Sequence, residues 1–237
     1  MSEIYSRNEL LIGQEAQQRL RDSSVAVFGI GGVGGHLVEA LARAGVGKLL
    51  LVDCDSVSAS NINRQIIALH STEGRAKTEV MRERIADIDP STSVVTKNVF
   101  VSPDNISEFD LLSFDYVADA IDTLSGKLAI ITECLKYDTP VISAMGAGNK
   151  LDPTGFRVAD ISKTFGCPLA RSVRCELRKR GVTSGVKTVF SEEKPVDCSK
   201  HTELSEGGRH TPGSISFMPS VMGLIMASEI IKDLALG

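Results

Sequence analysis

The chain has 237 residues, 42% hydrophobic and 24% charged, with a net charge of −4. That is enough for a full core and excludes a disordered, collagen-like or low-complexity chain. No apolar run reaches the roughly 18–20 residues of a membrane span. The polar N-terminal stretch, with Glu3, Arg7, Glu9 and Arg19, does not read as a secretory signal. The cysteines Cys54, Cys134, Cys167, Cys175 and Cys198 contain no C-x-x-C pair and no disulfide framework. No membrane association is expected, and a reducing cytoplasm is the expected compartment.

In chain order, the spacing of Leu10, Leu11, Ala16 and Leu20 predicts a helix over 8–21 that covers the body. The apolar runs 25–28 and 48–53 predict buried parallel strands, with a helix over 36–44 between them. A helix over 73–85, a strand over 94–101 and a strand over 116–120 follow. A helix over 124–136 and a strand over 140–144 complete a βαβ rhythm. This is an α/β, Rossmann-like, doubly wound and mostly parallel sheet. The rhythm breaks after Gly148. Residues 156–160 and 187–190 read as strands without the same crossovers, 191–213 as loop, and 219–236 as a closing helix. One domain is expected, with 1–150 as its nucleotide-binding portion and an elaborated 151–237 as its substrate and dimer portion.

Between the first strand and its helix stands Gly29-Ile30-Gly31-Gly32-Val33-Gly34. Glycines at this spacing allow a tight turn and let backbone N–H groups approach a phosphate at a helix N-terminus. Asp53 stands 24 residues after Gly29, where a dinucleotide site places its ribose-binding acid, so a dehydrogenase is the natural first expectation. The next residues argue against it. Asp55, Asn61, Asn63 and Arg64 crowd one short loop that ends strand two, Lys77 follows, and Asp119 and Asp122 end a later strand. Hydride transfer needs no such gathering of cations and carboxylates, whereas handling ATP with magnesium does.

These ordered motifs, with Gly74-Arg75-x-Lys77 and Ala120-Ile121-Asp122-Thr123, resemble the ThiF/MoeB/HesA adenylyltransferases, relatives of ubiquitin-activating enzymes, over about residues 5–150. The resemblance implies a carboxylate activated by ATP as an acyl-adenylate, with release of pyrophosphate. It implies Asp53 on the ribose, Asn61, Arg64 and Lys77 on the phosphates, and Asp122 holding magnesium. Asp122 as a plain N-cap of the following helix is the competing reading. Arg7 resembles the family arginine that reaches a neighbouring subunit's ATP, which implies a homodimer.

The stretches 149–164, 168–178 and 189–193 resemble the branch of this superfamily that dehydrates threonylcarbamoyladenosine in tRNA, extending the likeness over nearly the whole chain. Relatives that charge sulfur-carrier proteins, the alternative activity, often hold zinc on two C-x-x-C pairs. None is present, so no structural zinc is expected. A non-catalytic nucleotide-binding scaffold is the alternative of another class, and the intact Arg64, Lys77 and Asp122 count against it. Residues 171–187 carry six cations against one acid, a local +5 on a body that sums to −9. Arg171, Arg174 and Arg178 share a helix face at i, i+3, i+7 and are the candidate tRNA contacts; a merely solvated face is the bland alternative. Cys198, beside Lys200 and His201, is the thiol best placed to take an acyl group, although cyclisation needs none. Cys54 is expected in the core. A sulfur-relay protein is a candidate partner beside tRNA.

Overall fold

The computed structural model describes residues 3–198 and 211–237. Seven strands form one sheet in the order β3-β2-β1-β4-β5-β7-β6. They are β1 (Ser24–Phe28), β2 (Lys48–Val52), β3 (Ser93–Lys97), β4 (Tyr116–Asp119), β5 (Val141–Ala144), β6 (Phe156–Asp160) and β7 (Lys187–Ser191). All neighbours are parallel except β6, which runs antiparallel to β7. The elaborated C-terminal third therefore extends the same sheet, with β7 inserted between β5 and β6.

Alternation along the central strands divides the core. Val25, Val27, Leu49 and Leu51 face one side of the sheet, where α3 (Gly34–Ala44), α4 (Lys77–Ile88) and α7 (Phe217–Leu236) bury Leu37, Leu41, Met81, Met222 and Ile230. Ala26, Phe28, Leu50 and Val52 face the other, against α5 (Leu124–Lys136). The far flank of α5 then packs on α6 (Pro168–Lys179) through Leu128, Ile131, Val173 and Leu177. Two-sided burial explains why these strands read as unbroken apolar runs.

Four expectations need correction. The N-terminal helix is two helices, α1 (Ser6–Ile12) and α2 (Gln14–Asp22), broken at Gly13, whose φ of 83° no helix continues through. Leu10 and Leu11 consequently point to solvent, 85% and 88% exposed, while Ala16 and Leu20 are buried. Helix α4 begins at Lys77 rather than Glu73, because Gly74 has φ 82° and Ala76 bridges to Ser56. Strand β3 ends at Lys97, and the chain through Val101 peels away from the sheet edge. Cys54 is exposed rather than core.

Among the described residues, one ion pair lies wholly inside. Lys127 on α5 donates through Nζ to Asp119 Oδ2 at 2.7 Å, to Ala144 O at 2.8 Å and to Ser143 Oγ at 3.3 Å. Asp119 also accepts from Ser143 Oγ at 2.5 Å and from the Ile121 N–H at 3.2 Å. Both charged side chains are fully buried, so Asp119 ties α5 to the ends of β4 and β5 rather than meeting a ligand. Breaking such a pair on one side strands a buried charge. Lys127→Met should lower stability by about 3–5 kcal/mol in urea unfolding. Adding Asp119→Asn to that variant should recover a large part of the loss. Equal stability of Lys127→Met and the parent would show that the pair does not hold this junction.

Candidate functional site

The C-terminal edges of β2, β1, β4 and β5 open into one cavity of about 910 Å³. The strand order reverses between β1 and β4, the crevice where open α/β sheets take their ligands.

The glycine loop leaves β1 here. Gly29 has φ 88°, and a Cβ on it would stand 2.8 Å from the Ala120 carbonyl oxygen; a Cβ on Gly34 would stand 1.7 Å from the Gly29 carbonyl oxygen. The loop can thus lie against β4 and turn into α3 only without side chains at these two positions. Gly34 is buried behind the turn, and Gly31 and Gly32 line the cavity. At the end of β2, Asp53 braces the loop. The Ile30 N–H donates to its Oδ2 at 2.6 Å and the Asp55 N–H to its Oδ1 at 2.8 Å.

Beyond Asp53 the cations gather. Lys77, the first residue of α4, is buried and donates to Asp55 Oδ2 at 2.7 Å. That bond, strengthened by the lysine's charge, holds the Asp55 carboxyl below the usual carboxylate range. Arg64 lines the cavity from a half-buried position, with its guanidinium on Ser60 O at 2.7 Å and Asn63 Oδ1 at 2.9 Å. Asn61 is buried at the cavity wall and accepts the Ser58 N–H at 3.2 Å, which fixes the turn that presents Arg64. Gln65 was not singled out from the sequence, yet it is buried beneath Gly31 and its Oε1 has no partner among the described residues. Its place directly after Arg64 was the available signal. A buried acceptor left open beside a glycine loop fits a site that a hydroxyl- or amine-bearing ligand completes.

Asp122 lies on the opposite wall, exposed, between β4 and α5. The N-cap position belongs to Thr123, which makes no side-chain capping bond, and no described residue donates to the Asp122 carboxylate. The helix-cap reading therefore has no geometric support. An open carboxylate on the cavity wall is the donor type magnesium prefers, alongside phosphate oxygens and water. Among the described residues, the one group of three side chains with ligand atoms mutually within 4.8 Å is Asp53, Cys54 and Asp55. Its carboxylates are already engaged by backbone N–H groups and Lys77, and burial with the neighbouring Asp55 raises the Cys54 thiol above its usual range.

The far end of the cavity belongs to the C-terminal third. Asn149, with φ 57°, donates its N–H to Gly213 O at 2.8 Å, accepts the Gly213 N–H at 2.5 Å, and receives the Val196 N–H at 2.7 Å. One residue thus ties two chain segments to the loop after β5. Cys198 is half-buried beside them, its Sγ 3.6 Å from where a Cβ on Gly213 would be. Lys200, His201 and His210 lie outside the described residues.

Other expected residues stand apart from the cavity. Arg7 is exposed on α1, just after Tyr5, whose buried hydroxyl donates to Asp89 Oδ2 at 2.5 Å. Arg171 and Arg178 are exposed on α6, beside its buried stripe of Ala170, Val173 and Leu177. Arg174 is different. It is half-buried and donates to Thr164 O at 2.8 Å and Thr164 Oγ1 at 2.5 Å, holding the turn that precedes α6.

A family model described as the ThiF family matches residues 5–236. The chain belongs to the ThiF family. It is 47% identical, over 97% of its length and 94% of the relative's, to a tRNA threonylcarbamoyladenosine dehydratase of Bacillus subtilis (strain 168). The corresponding Escherichia coli (strain K12) protein is 43% identical over 81% of this chain and 71% of that one. The crystal structure of E. coli tRNA N6-threonylcarbamoyladenosine dehydratase, TcdA, in complex with ATP superposes with a TM-score of 0.88. It covers 98% of this chain and 93% of that chain at 36% identity. The family match spans both the glycine-loop half and the C-terminal third.

The two glycines of the loop separate packing from space. Gly34→Ala should lower stability by several kcal/mol, since backbone must move to admit the Cβ. Gly31→Ala, whose Cβ would meet only Gln65 Nε2 at 3.7 Å, should stay within about 0.5 kcal/mol of the parent. Thermal unfolding of both variants tests the distinction, and equal losses would refute it.

Proposed function

We propose that this chain adenylates the side-chain carboxylate of threonylcarbamoyladenosine in tRNA with ATP and so dehydrates that nucleoside to its cyclic form. The observation that carries this reading is the single cavity in which the glycine loop and its cations share one space with the C-terminal third. The similarity to dehydratases over 97% of the chain supports the same substrate.

The chemistry proceeds in two balanced steps. A carboxylate oxygen bonds to the α-phosphorus as the bond to the β-phosphate bridge breaks, and pyrophosphate leaves with the electron pair. The ureido group, losing its N–H proton, then attacks the acyl carbon, and AMP leaves. Both partners of the first step are anions, so the site must neutralise charge as they meet. Arg64 and the buried Lys77 supply fixed positive charge, and the loop's backbone N–H groups approach the phosphates. Asp53 would meet the ribose hydroxyls while its other contacts brace the loop. Magnesium arriving with ATP would screen the phosphates and sharpen the electrophile, and Asp122 would hold it. The reading includes a homodimer in the cytoplasm. Arg7, outside its own cavity and next to the exposed Ile4, Leu10 and Leu11, would then serve the neighbouring subunit's nucleotide under cover of that apolar arm.

Incubation with ATP and modified tRNA should yield AMP, pyrophosphate and a nucleoside lighter by one water, read by mass spectrometry; an unaltered nucleoside would refute the proposal. Asp122→Ala should keep the parent's unfolding curve and lose at least about 100-fold in pyrophosphate release. Full activity of that variant would remove Asp122 from the reaction.

For tRNA, the exposed Arg171 and Arg178 are the contacts to test, with Arg174 left to its turn. Arg171→Gln/Arg178→Gln should weaken tRNA binding and reduce the log–log salt slope by roughly 1.5–2, while ATP affinity stays put. Identical slopes for variant and parent would leave α6 a solvated face.

A further inference from the structure

Among the described residues, three lysines are buried at or beneath this cavity, and two have carboxylate partners. Lys127 has Asp119 and Lys77 has Asp55. Lys150, on the loop after β5, is 4% exposed and lines the cavity, yet no carboxylate among the described residues pairs with it. Its one described hydrogen bond runs from Nζ to the Ser191 carbonyl oxygen at 3.2 Å, a neutral acceptor at the end of β7. The titratable groups nearest it are the Cys167 thiol, which accepts the Gly146 N–H at 3.4 Å, and Glu193. Glu193 makes no ion pair with it and spends its two oxygens on the backbone N–H groups of Leu151 and Asp152 at 2.9–3.0 Å. Burial draws the Lys150 ammonium below its usual range, with the thiol and Glu193 opposing that pull. A buried cation without a counter-ion is costly unless something else neutralises it.

The position says what would do so. The glycine loop, Asp53 and the Arg64–Lys77 cations stand at the β1 and β2 edges. Lys150 follows β5 and its Nζ reaches the end of β7, so β1, β4 and β5 lie between it and β2 in the sheet order. The cavity between them is continuous. An anion reaching Lys150 therefore comes from the side opposite the triphosphate's own cations.

We propose that the Lys150 ammonium is the counter-ion of the substrate's carboxylate, the N-carbamoyl amino-acid carboxylate that attacks ATP. This deepens the dehydratase reading and rests on it. Lys150 neutralises the nucleophile's charge and directs one of its oxygens toward the α-phosphorus; no proton moves, and the lysine remains charged as pyrophosphate departs. The same residue selects for a substrate ending in a carboxylate over its amide or ester.

The test is Lys150→Met, which keeps the stem and removes the charge, with Lys150→Gln as a second variant. Three measurements are made: thermal unfolding, ATP affinity, and single-turnover pyrophosphate release with threonylcarbamoyl-modified tRNA. Stability should be equal to or above the parent's, ATP affinity within twofold, and pyrophosphate release at least about 100-fold slower. A marked loss of stability in both variants would make Lys150 a structural tie to Ser191 and overturn the proposal. A tenfold loss of ATP affinity would assign it to the triphosphate and overturn it equally, as would undiminished pyrophosphate release. A parent enzyme that releases no pyrophosphate with modified tRNA would instead sink the dehydratase reading itself, whatever the variants do.

Discussion

The cavity exists because the backbone after β1 can lie almost in contact with the backbone after β4. At Gly29 and Gly34 there is no room for a single methyl group, and Asp53 at the end of β2 holds the loop in that pose through the Ile30 N–H. Every other feature of the site is arranged around this close approach. The turn at 58–65 faces the loop across the crevice, and α7 closes over it through Pro219, whose ring would stand 3.0 Å from a Cβ on Gly32. A loop propped open by side chains would move the N–H groups, and the cations behind them would face an empty wall.

Charge is distributed around that loop by purpose. Lys127 and Asp119 are a closed, dry pair that welds α5 to the strand ends. Lys77 is buried against a partner, Asp55, whose carboxylate is itself open to the cavity, so the pair is half structural and half available. Arg64 is half-buried and holds only neighbouring oxygens. Lys150 completes the gradient as a buried cation with a neutral partner. Desolvation makes each of these costly in isolation, and the cost is smallest where a ligand's own charge can enter.

The C-terminal third does more than widen the sheet. By inserting β7 beside β5 it brings Lys150, Cys167 and the 211–214 segment to the rim, and Asn149 stitches the flanking segments there. The near-complete match to dehydratases, including this third, is what distinguishes the substrate reading from the general family chemistry.

Local pattern sufficed for the parallel core and for many of the residues that line the cavity. The apolar runs, the glycine spacing and the order Asp53, Asn61, Arg64, Lys77, Asp122 are short-range features, and the described strands, helices and cavity wall follow them. The two misread helices share one cause. Gly13 and Gly74 adopt positive φ, which no helical periodicity reveals, so one helix was broken in two and another began four residues late. Burial of single side chains was likewise beyond periodicity. Only the folded chain shows that Asp119 is sealed behind Lys127, that Arg174 is spent on Thr164, that Gln65 is left with an open acceptor, and that Lys150 lies in the cavity without a carboxylate. A sequence states which groups can carry charge or donate a bond. Which of them are already satisfied depends on partners many residues away, and only packing brings those together.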